Sequence, residues 1–520
     1  MALSRKPIEI VNQGNHQLLT KAEHWERVPL LDVSAVQNGF AFKSELFTHS
    51  EGKPLIRIRD IEDGWTENFY SGDYSDDFVV RKGDILIGMD GDFNAAIWQG
   101  ADGLLNQRVC RLIPTSKHFS EKYLFLCLQP YLNAINAETS SVTVKHLSSR
   151  TIGEIPLPLP PLNEQHRIVA KIEELFSELD KGIENLKTVR AQLKVYRQAL
   201  LKHAFEGKLT AQWRAENQDK LETADALLKR IQQERAQRYQ QQLADWEAAS
   251  KQGSKPKAPK PLPPLTKEEL AKLPELPEDW GWCKWEDILV SEKGAFKRGP
   301  FGSALKKEFF VKSGYKVYEQ YCPINDDCSF ERYYISDEKF RELEGFSVRA
   351  DDFLVSCSGV TLGRITQVPL NFKEGIINQA LLRVRVNKAV YDFKFFKIFF
   401  RSRYFQKRIF ENSTGTAIPN VKGVNELKAI PLPLCSLLEQ QQIISELEAR
   451  LSEVDQLDQT LTTSLQQAEA LRQSILKKAF SGQLVPQDPH DEPASALLAR
   501  IKAEKMHTRE PKTSRSKRNE

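Results

Sequence analysis

Side chains able to do covalent chemistry are few in this chain and poorly spaced for it. The nine histidines form no HExxH pair for a catalytic zinc, and no GxxxxGK[ST] loop is present to cradle a nucleotide phosphate. The nearest phosphate-loop fragment, Gly207-Lys208, continues with Leu209. An Asn/Asp-Pro-Pro-aromatic stretch, the pattern of an adenine methyltransferase site, is also missing. Asp90-Gly91-Asp92 could suggest a cation loop. Its counterpart in the second half of the chain, Ser358-Gly359-Val360, lacks both carboxylates, so a turn is the better reading. His203 falls on a helical seam, where packing or capping explains it. The seven cysteines, at 110, 127, 283, 322, 328, 357 and 435, contain no CxxC pair. An odd, scattered set suits a reduced cytosolic chain better than a secreted or zinc-bound one. Nothing reads as a signal peptide or a membrane span, so the expected location is the cytoplasm. By itself the chain is expected to catalyse nothing.

The elements that organise it occur twice. The stretch from Ile155, IPLPLPPLNEQHRIVAKIEELFSELDKG, is matched without a gap by that from Ile430, IPLPLCSLLEQQQIISELEARLSEVDQL, at a constant offset of 275 residues. The match continues through Arg197/Arg472 and Phe205/Phe480 to Gly207/Gly482. So long an internal repeat sets the architecture. The Ile-Pro-Leu-Pro start is extended, because each proline fixes its own backbone and biases the residue before it. A helix follows from about Asn163-Glu164, where a cap and early carboxylates suit the positive helix end. Along it, Ile172, Leu179, Leu186, Leu193 and Leu200 recur every seven residues. A companion series of Ile168, Leu175, Gly182, Val189, Tyr196 and His203 completes a 4-3-4-3 coiled-coil seam. The second copy repeats the first series as Leu447, Val454, Leu461, Ala468 and Ile475. Its companion series carries Arg450, Ser464 and Lys478, making it the more polar helix. Each copy is expected to bury its seam against the other. About 40 residues at about 1.5 Å each make a rod of roughly 60 Å.

Around these rods the chain divides into seven stretches. Residues 1–21 read as a loose polar lead-in, and 22–155 as a mixed domain. That domain has β-like runs at 55–58, 84–87 and 108–112 and an apolar-rich helix at 121–132. The first spacer helix covers 156–207. A charged helical extension and a Lys/Pro linker (GSKPKAPKPLPP, 253–264) cover 208–265. A second mixed domain spans 266–430, the second spacer helix 431–483, and a segment with a basic, disordered-looking tail from about Glu504 spans 484–520. The two mixed domains are faint copies. Trp25 aligns with Trp280, RKGDILIGMDG from Arg81 with RADDFLVSCSG from Arg349, and LNQ at 105–107 with INQ at 377–379. A net charge of +4, with 28% charged and 40% hydrophobic residues, suits a globular chain with exposed helices and does not by itself mark a nucleic-acid binder.

This order of variable domain, IPLP…EQ helix, variable domain and IPLP…EQ helix resembles the specificity subunit of type I restriction–modification enzymes over nearly the whole chain. GAFKRGPFGS at 294–303, AFEGKL, and AFSGQLVPQDPHDEPASALLARI carry the resemblance further, with ADALLKRI at 224–231 echoing ASALLARI at 494–501. The resemblance implies an α+β fold. Two α/β target recognition domains would be separated by a pair of long antiparallel coiled-coil helices, with a pseudo-two-fold internal repeat. It implies double-stranded DNA as ligand, each domain reading half of a split target, with two modification subunits docked on the helices and restriction subunits joining them. S-adenosylmethionine would then belong to the modification subunits, and ATP and Mg²⁺ to the restriction subunits, with no cofactor on this chain. On that arrangement the half-sites lie about one helical turn apart, roughly 34 Å or somewhat more. One heptad added to the rods would change the gap without altering either half-site.

Base edges are read by Arg, Lys, Asn, Gln and small hydroxyls, and phosphates attract Lys and Arg. On this basis the expected DNA contacts in the first domain are Asn38, Lys43 and Ser44 in the loop with Phe40, then Arg57, Arg59, Asn94 and Lys145. In the second they are Lys297, Arg298, Ser303, Lys306, Ser358, Thr361, Arg364 and Asn420. For each, a solvated polar residue is the blander reading. Phe40 and Phe301 read as core residues. Asn106-Gln107 and Asn378-Gln379 occupy matching positions in domains that should read different bases, which argues for a shared structural turn. Docking of the modification subunits is expected near Glu164, Gln165, Glu439 and Gln440, with helix capping as the plain alternative. Two other classes remain. A coiled-coil protein–protein adaptor would retain no DNA by sequence. A cryptic nuclease at 84–92 would nick DNA with Mg²⁺ and lose that activity in Asp90→Ala.

Overall fold

The computed structural model describes residues 5–139, 145–251, 254–258, 260, 262–359, 361–410 and 421–509. Part of the Lys/Pro tract, Val360, Asn420 and the tail beyond 509 lie outside these. The chain forms two compact units, Met1–Thr188 with Leu461–Glu520, and Val189–Thr460. Each takes a share of both long helices, Leu162–Phe205 and Leu437–Phe480.

In the first unit the Pro-Leu-Pro-Leu segment is a strand, Pro156–Leu159, paired antiparallel with Glu26–Pro29. Prolines are tolerated because the pair has only two strands, so the missing donors face no second neighbour. A four-stranded antiparallel sheet follows in the order Ser34–Asn38, Val109–Pro114, Ile85–Gly88, Ala95–Ile97. A five-stranded sheet is ordered Phe47–Thr48, Phe69–Tyr70, Lys53–Ile56, Gly103–Leu105, Val79–Val80. Helix Glu121–Glu138 is started by Ser120, whose Oγ accepts from the Tyr123 N–H, and it buries Leu124, Leu128, Leu132 and Ile135 along one face. Ile168 and Ile172 from the first long helix join that core with Ile475, Ala479 and Phe480 from the second.

Two expectations for this unit are corrected. The lead-in is not loose, since a helix at Pro7–Asn12 sends Ile10 into the core and Leu19 follows it. Two apolar side chains in a polar stretch suffice to tie it down. The C-terminal segment is helical over Ala494–Arg509, past the point where a tail was expected. Glu504 accepts from the Ser116 hydroxyl at 2.6 Å and Lys505 pairs with Asp32, so specific partners order a stretch that composition alone leaves unstructured.

The second unit repeats the plan. Gly281–Lys284 pairs with Pro431–Leu434. One sheet is ordered Phe296–Arg298, Leu381–Val384, Phe353–Ser356, Ile365–Gln367, and another Phe310–Val311, Tyr334–Ile335, Tyr315–Tyr318, Gly375–Ile377. Its core is aromatic: Trp285 packs on Phe296, Phe396, Phe400 and Phe405 at centroid distances of 4.9, 5.8, 5.8 and 5.1 Å. The 208–249 extension holds helices Ala211–Glu216 and Ala224–Ala248, the latter burying Leu227 and Ile231.

The long helices run antiparallel within each unit. In the second, Arg190 meets Asp458 at 2.9 Å and Arg197 meets Asp455. In the first, Arg472 meets Asp180 and its guanidinium lies 4.5 Å from the Phe176 ring centre, while Ile168 and Ile172 share a core with Ile475 and Ala479. The Ile172–Leu200 series and its Leu447–Ile475 repeat line the pairing faces, partly or fully buried throughout. The companion series holds only in part, with Ile168 buried and Leu175 and Ser464 partly buried. Gly182, Val189, Tyr196 and His203 are exposed, as are Arg450, Leu457 and Lys478. Beyond these, the partly or fully buried companions are Phe176, Ile183, Arg190 and Arg197 on one helix and Leu451, Asp458, Leu465, Arg472 and Ala479 on the other. A seven-residue series accepts a companion on either side. Here the facing carboxylates make arginine acceptable in the seam, which apolar periodicity cannot register.

Candidate nucleic-acid interface

In the first unit Lys53–Ile56 and Gly103–Leu105 run parallel, with Ile56 opposite Leu105. Both strands end at one edge, and the next residues on, Arg57 and Asn106, leave the sheet together. The loop after Asn38 folds back onto that edge. Gly39 is required there, because a Cβ would lie 2.0 Å from the Asn106 carbonyl oxygen. The Phe40 N–H donates to Leu105 O at 2.9 Å, and Asn106 Oδ1 accepts from the Gln107 N–H at 2.7 Å. Phe40 is 49% exposed and not core. The neighbouring Phe42 takes the buried place, and Phe40 lies 5.1 Å from it and from Phe78. Lys43, Ser44 and Arg59 are exposed, as is Asn38, whose amide donates to Ser149 Oγ at 3.2 Å. The Arg57 guanidinium lies over Phe47 at 5.2 Å.

The Asn106-Gln107 turn leads to Arg108, which connects this edge to a second cluster. Its carbonyl accepts from the Met89 N–H, and its guanidinium meets Asp90 at 3.1 Å. Asp90 also meets His146 Nδ1 at 2.6 Å. Both partners serve a turn, and no group of three or more His, Cys, Asp or Glu among the described residues is placed to hold a metal. Asn94 accepts through its carbonyl from the Gly88 N–H. Lys145 is held in place by Asn136 O and Oδ1, at 2.6 and 2.8 Å.

The second unit builds the same edge with other side chains. Tyr315–Tyr318 and Gly375–Ile377 run parallel, Tyr318 opposite Ile377, so Glu319 and Asn378 stand where Arg57 and Asn106 do. A Cβ on Gly299 would lie 1.8 Å from Asn378 O, the same close approach as at Gly39. The Asn-Gln pairs thus share a structural turn, leaving Gln107 and Gln379 exposed. Phe301 is 64% exposed and not core, with the Arg298 guanidinium 5.4 Å away. The close Gly299–Asn378 approach pins this loop outside the sheet, and Phe296, five residues before Phe301 at the start of the strand, faces the core instead. Ser303 and Lys306 are exposed, with Lys306 3.3 Å from Glu308. The Cys357 N–H donates to Ala380 O at 2.8 Å and Ser358 O accepts from the Gln320 amide, which brings the hairpin carrying Ser358, Thr361 and Arg364 to this edge. Lys297 points elsewhere. Its amine donates to Gly345 O at 3.1 Å over the Phe346 ring, and burial, then nearby Arg383, lowers its pKa. Burial raises the pKa of Glu319, whose Oε2 has no hydrogen-bond donor among the described residues.

Two such edges, alike in backbone and unlike in side chains, have a match among known proteins. The family of the type I restriction modification DNA specificity domain matches residues 22–188. The specificity subunit of the type I restriction enzyme EcoBI from Escherichia coli is 31% identical over 533 residues, spanning 99% of this chain and 100% of that one. This chain belongs to the type I specificity subunits. The EcoKI specificity subunit of E. coli K12 is 22% identical over 536 residues, spanning 95% of this chain and 98% of its own. A chain solved in work on complex assembly and conformational transition of the type I R-M system superposes with a TM-score of 0.57 at 16% identity, covering 89% of this chain and 100% of that one. The fold of that chain is therefore shared.

In this specificity subunit the four expected docking residues require correction. Glu164, Gln165, Glu439 and Gln440 are between 0% and 1% exposed. Trp25 Nε1 donates to Glu164 at 3.0 Å, and Trp280 Nε1, Thr210 Oγ1 and Arg214 Nη1 to Glu439 at 2.8, 2.8 and 2.7 Å. Gln165 Oε1 accepts from the Ser120 N–H, and Gln440 Oε1 from the Asp392 N–H. Gln165, Glu439 and Gln440 clamp each strand–helix junction to its own unit, and Glu164 does so through Oε2 alone, its Oε1 having no donor among the described residues. The polar residues at these two edges that sequence reasoning did not name as DNA contacts are Gln107, Arg108, Glu319 and Gln320. The LNQ/INQ match pointed at one of these positions, Gln107, but its likeness in both halves argued against base reading.

Proposed function

We propose that this specificity subunit binds double-stranded DNA at a split target, one half read by the domain at 22–155 and the other by that at 266–430. It would direct two modification subunits to methylate adenine and restriction subunits to cleave. S-adenosylmethionine, ATP and Mg²⁺ would be held by those partners, with this chain contributing sequence choice. One observation carries the reading: a repeated edge, set by the same glycine–asparagine turn, presents Asn38, Lys43, Ser44 and Arg57 in one unit and Arg298, Ser303, Lys306 and Glu319 in the other. A shared frame with exchanged side chains is what reading two different half-sites demands. Full-length similarity to the EcoBI specificity subunit supports the same assignment.

The test is to map N6-methyladenine across the host genome with and without this gene. The expected result is a split motif that disappears on deletion. Substituting Asn38, Lys43 and Ser44 together should relax or abolish only the first half of that motif, and Arg298, Ser303 and Lys306 only the second. Methylation unchanged by deletion would overturn the reading in favour of a protein–protein adaptor.

A further inference from the structure

Glu164 and Glu439 hold the same place in the two copies of the long helix, and both are buried. In the second unit the carboxylate is fully met by an indole, a hydroxyl and the Arg214 guanidinium, which also lies 5.8 Å from the Trp280 ring. Arg214 is carried by the short helix Ala211–Glu216, in the connection from Gly207 to the helix starting at Ala224. The first unit has the same frame, with Gly482 and a helix starting at Ala494. Its connection, 483–493 against 208–223, is shorter, forms no helix and contains no lysine or arginine.

Where that helix is missing, the first unit has a cavity of about 570 Å³, walled by His24, Glu26, Glu164, Asp488, Asp491 and Glu492. Glu164 Oε2 takes the Trp25 N–H, with His24 at 3.7 Å, but Oε1 has no donor among the described residues although the side chain is 2% exposed. Arg167 pairs with Asp491 at 2.6 Å and Arg500 with Glu492. No lysine or arginine among the described residues forms an ion pair within 4 Å with Glu26, Glu164 or Asp488, and Arg167, which acts on Glu164 and Asp488 from farther off, is already bound to Asp491. We propose that this cavity receives an arginine side chain from a partner protein, its guanidinium meeting Glu164 as Arg214 meets Glu439. The planar fork fits a carboxylate whose second oxygen is unused. A lysine would present a point charge without that match.

The proposal is tested on the full chain by calorimetric titration at matched ionic strength with acetyl-Gly-Arg-Gly-amide, its lysine counterpart and MgCl₂. The expected result is saturable binding of the arginine peptide about tenfold tighter than the lysine peptide. Glu164→Gln should weaken it at least about fivefold, and substitution of exposed Asp488 by asparagine about twofold to threefold. Equal binding of both peptides, no saturation, indifference to both variants, or displacement by Mg²⁺ at low charge excess would each overturn it. If Glu164→Gln fails to fold, Asp488→Asn decides alone. Loss of arginine-peptide affinity supports the proposal and unchanged affinity sinks it.

Discussion

In the first unit Arg111 reaches Asp84 at 3.0 Å, and Gln37 Oε1 accepts from the same guanidinium at 2.6 Å. In the second, the matching Arg383 and Asp352 do not pair. Asp352 is taken by Arg385 at 2.8 Å, two residues on, while Arg383 donates to backbone oxygens of Gly294 and Ser347 and its Nε has no partner among the described residues. Burial pushes Arg383 down to about 10, and its neighbour on the adjacent strand is Lys297 where the first unit has Gln37. Both sheets keep the same strand order and the same registers around this arginine. Strand pairing and apolar packing therefore fix the frame, and ionic contacts can be rewired inside it. The glutamates at the helix starts teach the same lesson. Glu439 is saturated by a cation, and Glu164, with Oε1 unmet, is not.

The sharpest way to break this comparison is to remove each glutamate. Glu439→Ala should cost about 3–5 kcal/mol in the second unit, because it leaves the partly buried Arg214 and the buried Trp280 N–H without their carboxylate acceptor. Glu164→Gln should cost less than about 1 kcal/mol or stabilise the first unit at pH 7, since it removes a half-satisfied buried charge. Hydrogen exchange read peptide by peptide separates the two units, and equal losses in both would end the distinction. A pH effect follows. Burial raises the Glu164 pKa against the smaller opposing pull of the Trp25 hydrogen bond. The folded state then holds its proton more tightly than the unfolded chain does. The associated stability is fully present below the ordinary glutamate value of about 4.3 and is lost as pH rises through the raised folded value. Protection of the first unit should fall across that window, and Glu164→Gln should flatten the curve.

What the sequence disclosed was whatever rests on local chemistry or period. Pro156 and Pro158 announced an extended start, the repeat announced two long helices, and one leucine series correctly marked a pairing face. The companion series held at Ile168 and Leu175 and failed from Gly182 on, because Arg190, Arg197 and Arg472 count as polar until Asp458, Asp455 and Asp180 are seen opposite them. Glu164 and Glu439 read as docking or helix-capping residues, because the indoles that bury them come from Trp25 and Trp280, more than a hundred residues away in the chain. Phe40 and Phe301 read as core because they are aromatic, yet a glycine clamped against Asn106 or Asn378 holds each loop outside. The DNA-type edges were half legible. Loop composition singled out Asn38, Lys43, Ser44, Arg298 and Ser303, whereas Glu319 and Gln320 emerge only from the parallel pairing of Tyr315–Tyr318 with Gly375–Ile377.

A smaller effect tests the rewired sheet. Lys297→Gln places beside Arg383 the residue that Arg111 has beside it, removing one of two adjacent cations and offering an acceptor to the unpartnered Nε. The second unit should gain about 0.5–1 kcal/mol, limited by partial exposure and by loss of the Gly345 contact. Because the folded pKa of Lys297 is lowered, the unfolded chain binds more protons between that value and the ordinary lysine value of about 10.4. Wild-type stability should rise with pH across that alkaline window and the variant should not follow it. A destabilised variant with an unchanged alkaline profile would mean that Lys297 is held by packing alone.

The finest test lies in the seam, where the two units solve one position differently. Arg190 and Asp458 pair at 2.9 Å with side chains 39% and 43% exposed, whereas the repeat-equivalent residues in the first unit are Leu465 and Ile183, both partly buried. An exposed pair contributes about 0–1 kcal/mol and is screened by salt, so apolar replacement should forfeit little. Arg190→Leu with Asp458→Ile should stay within about 0.5 kcal/mol of wild type, while either single change should cost about 0.5–1 kcal/mol by leaving its partner unmatched against an apolar neighbour. Raising salt from 0.1 to 1 M should weaken the wild-type seam slightly and leave the double variant unmoved. A double variant that loses more than about 2 kcal/mol, or whose helices exchange protons as if re-registered, would give the pair a role in fixing alignment, as polar seam residues do in other coiled coils. The first unit's apolar solution would then not be transferable, and the seam would be the one place where the charges define the frame.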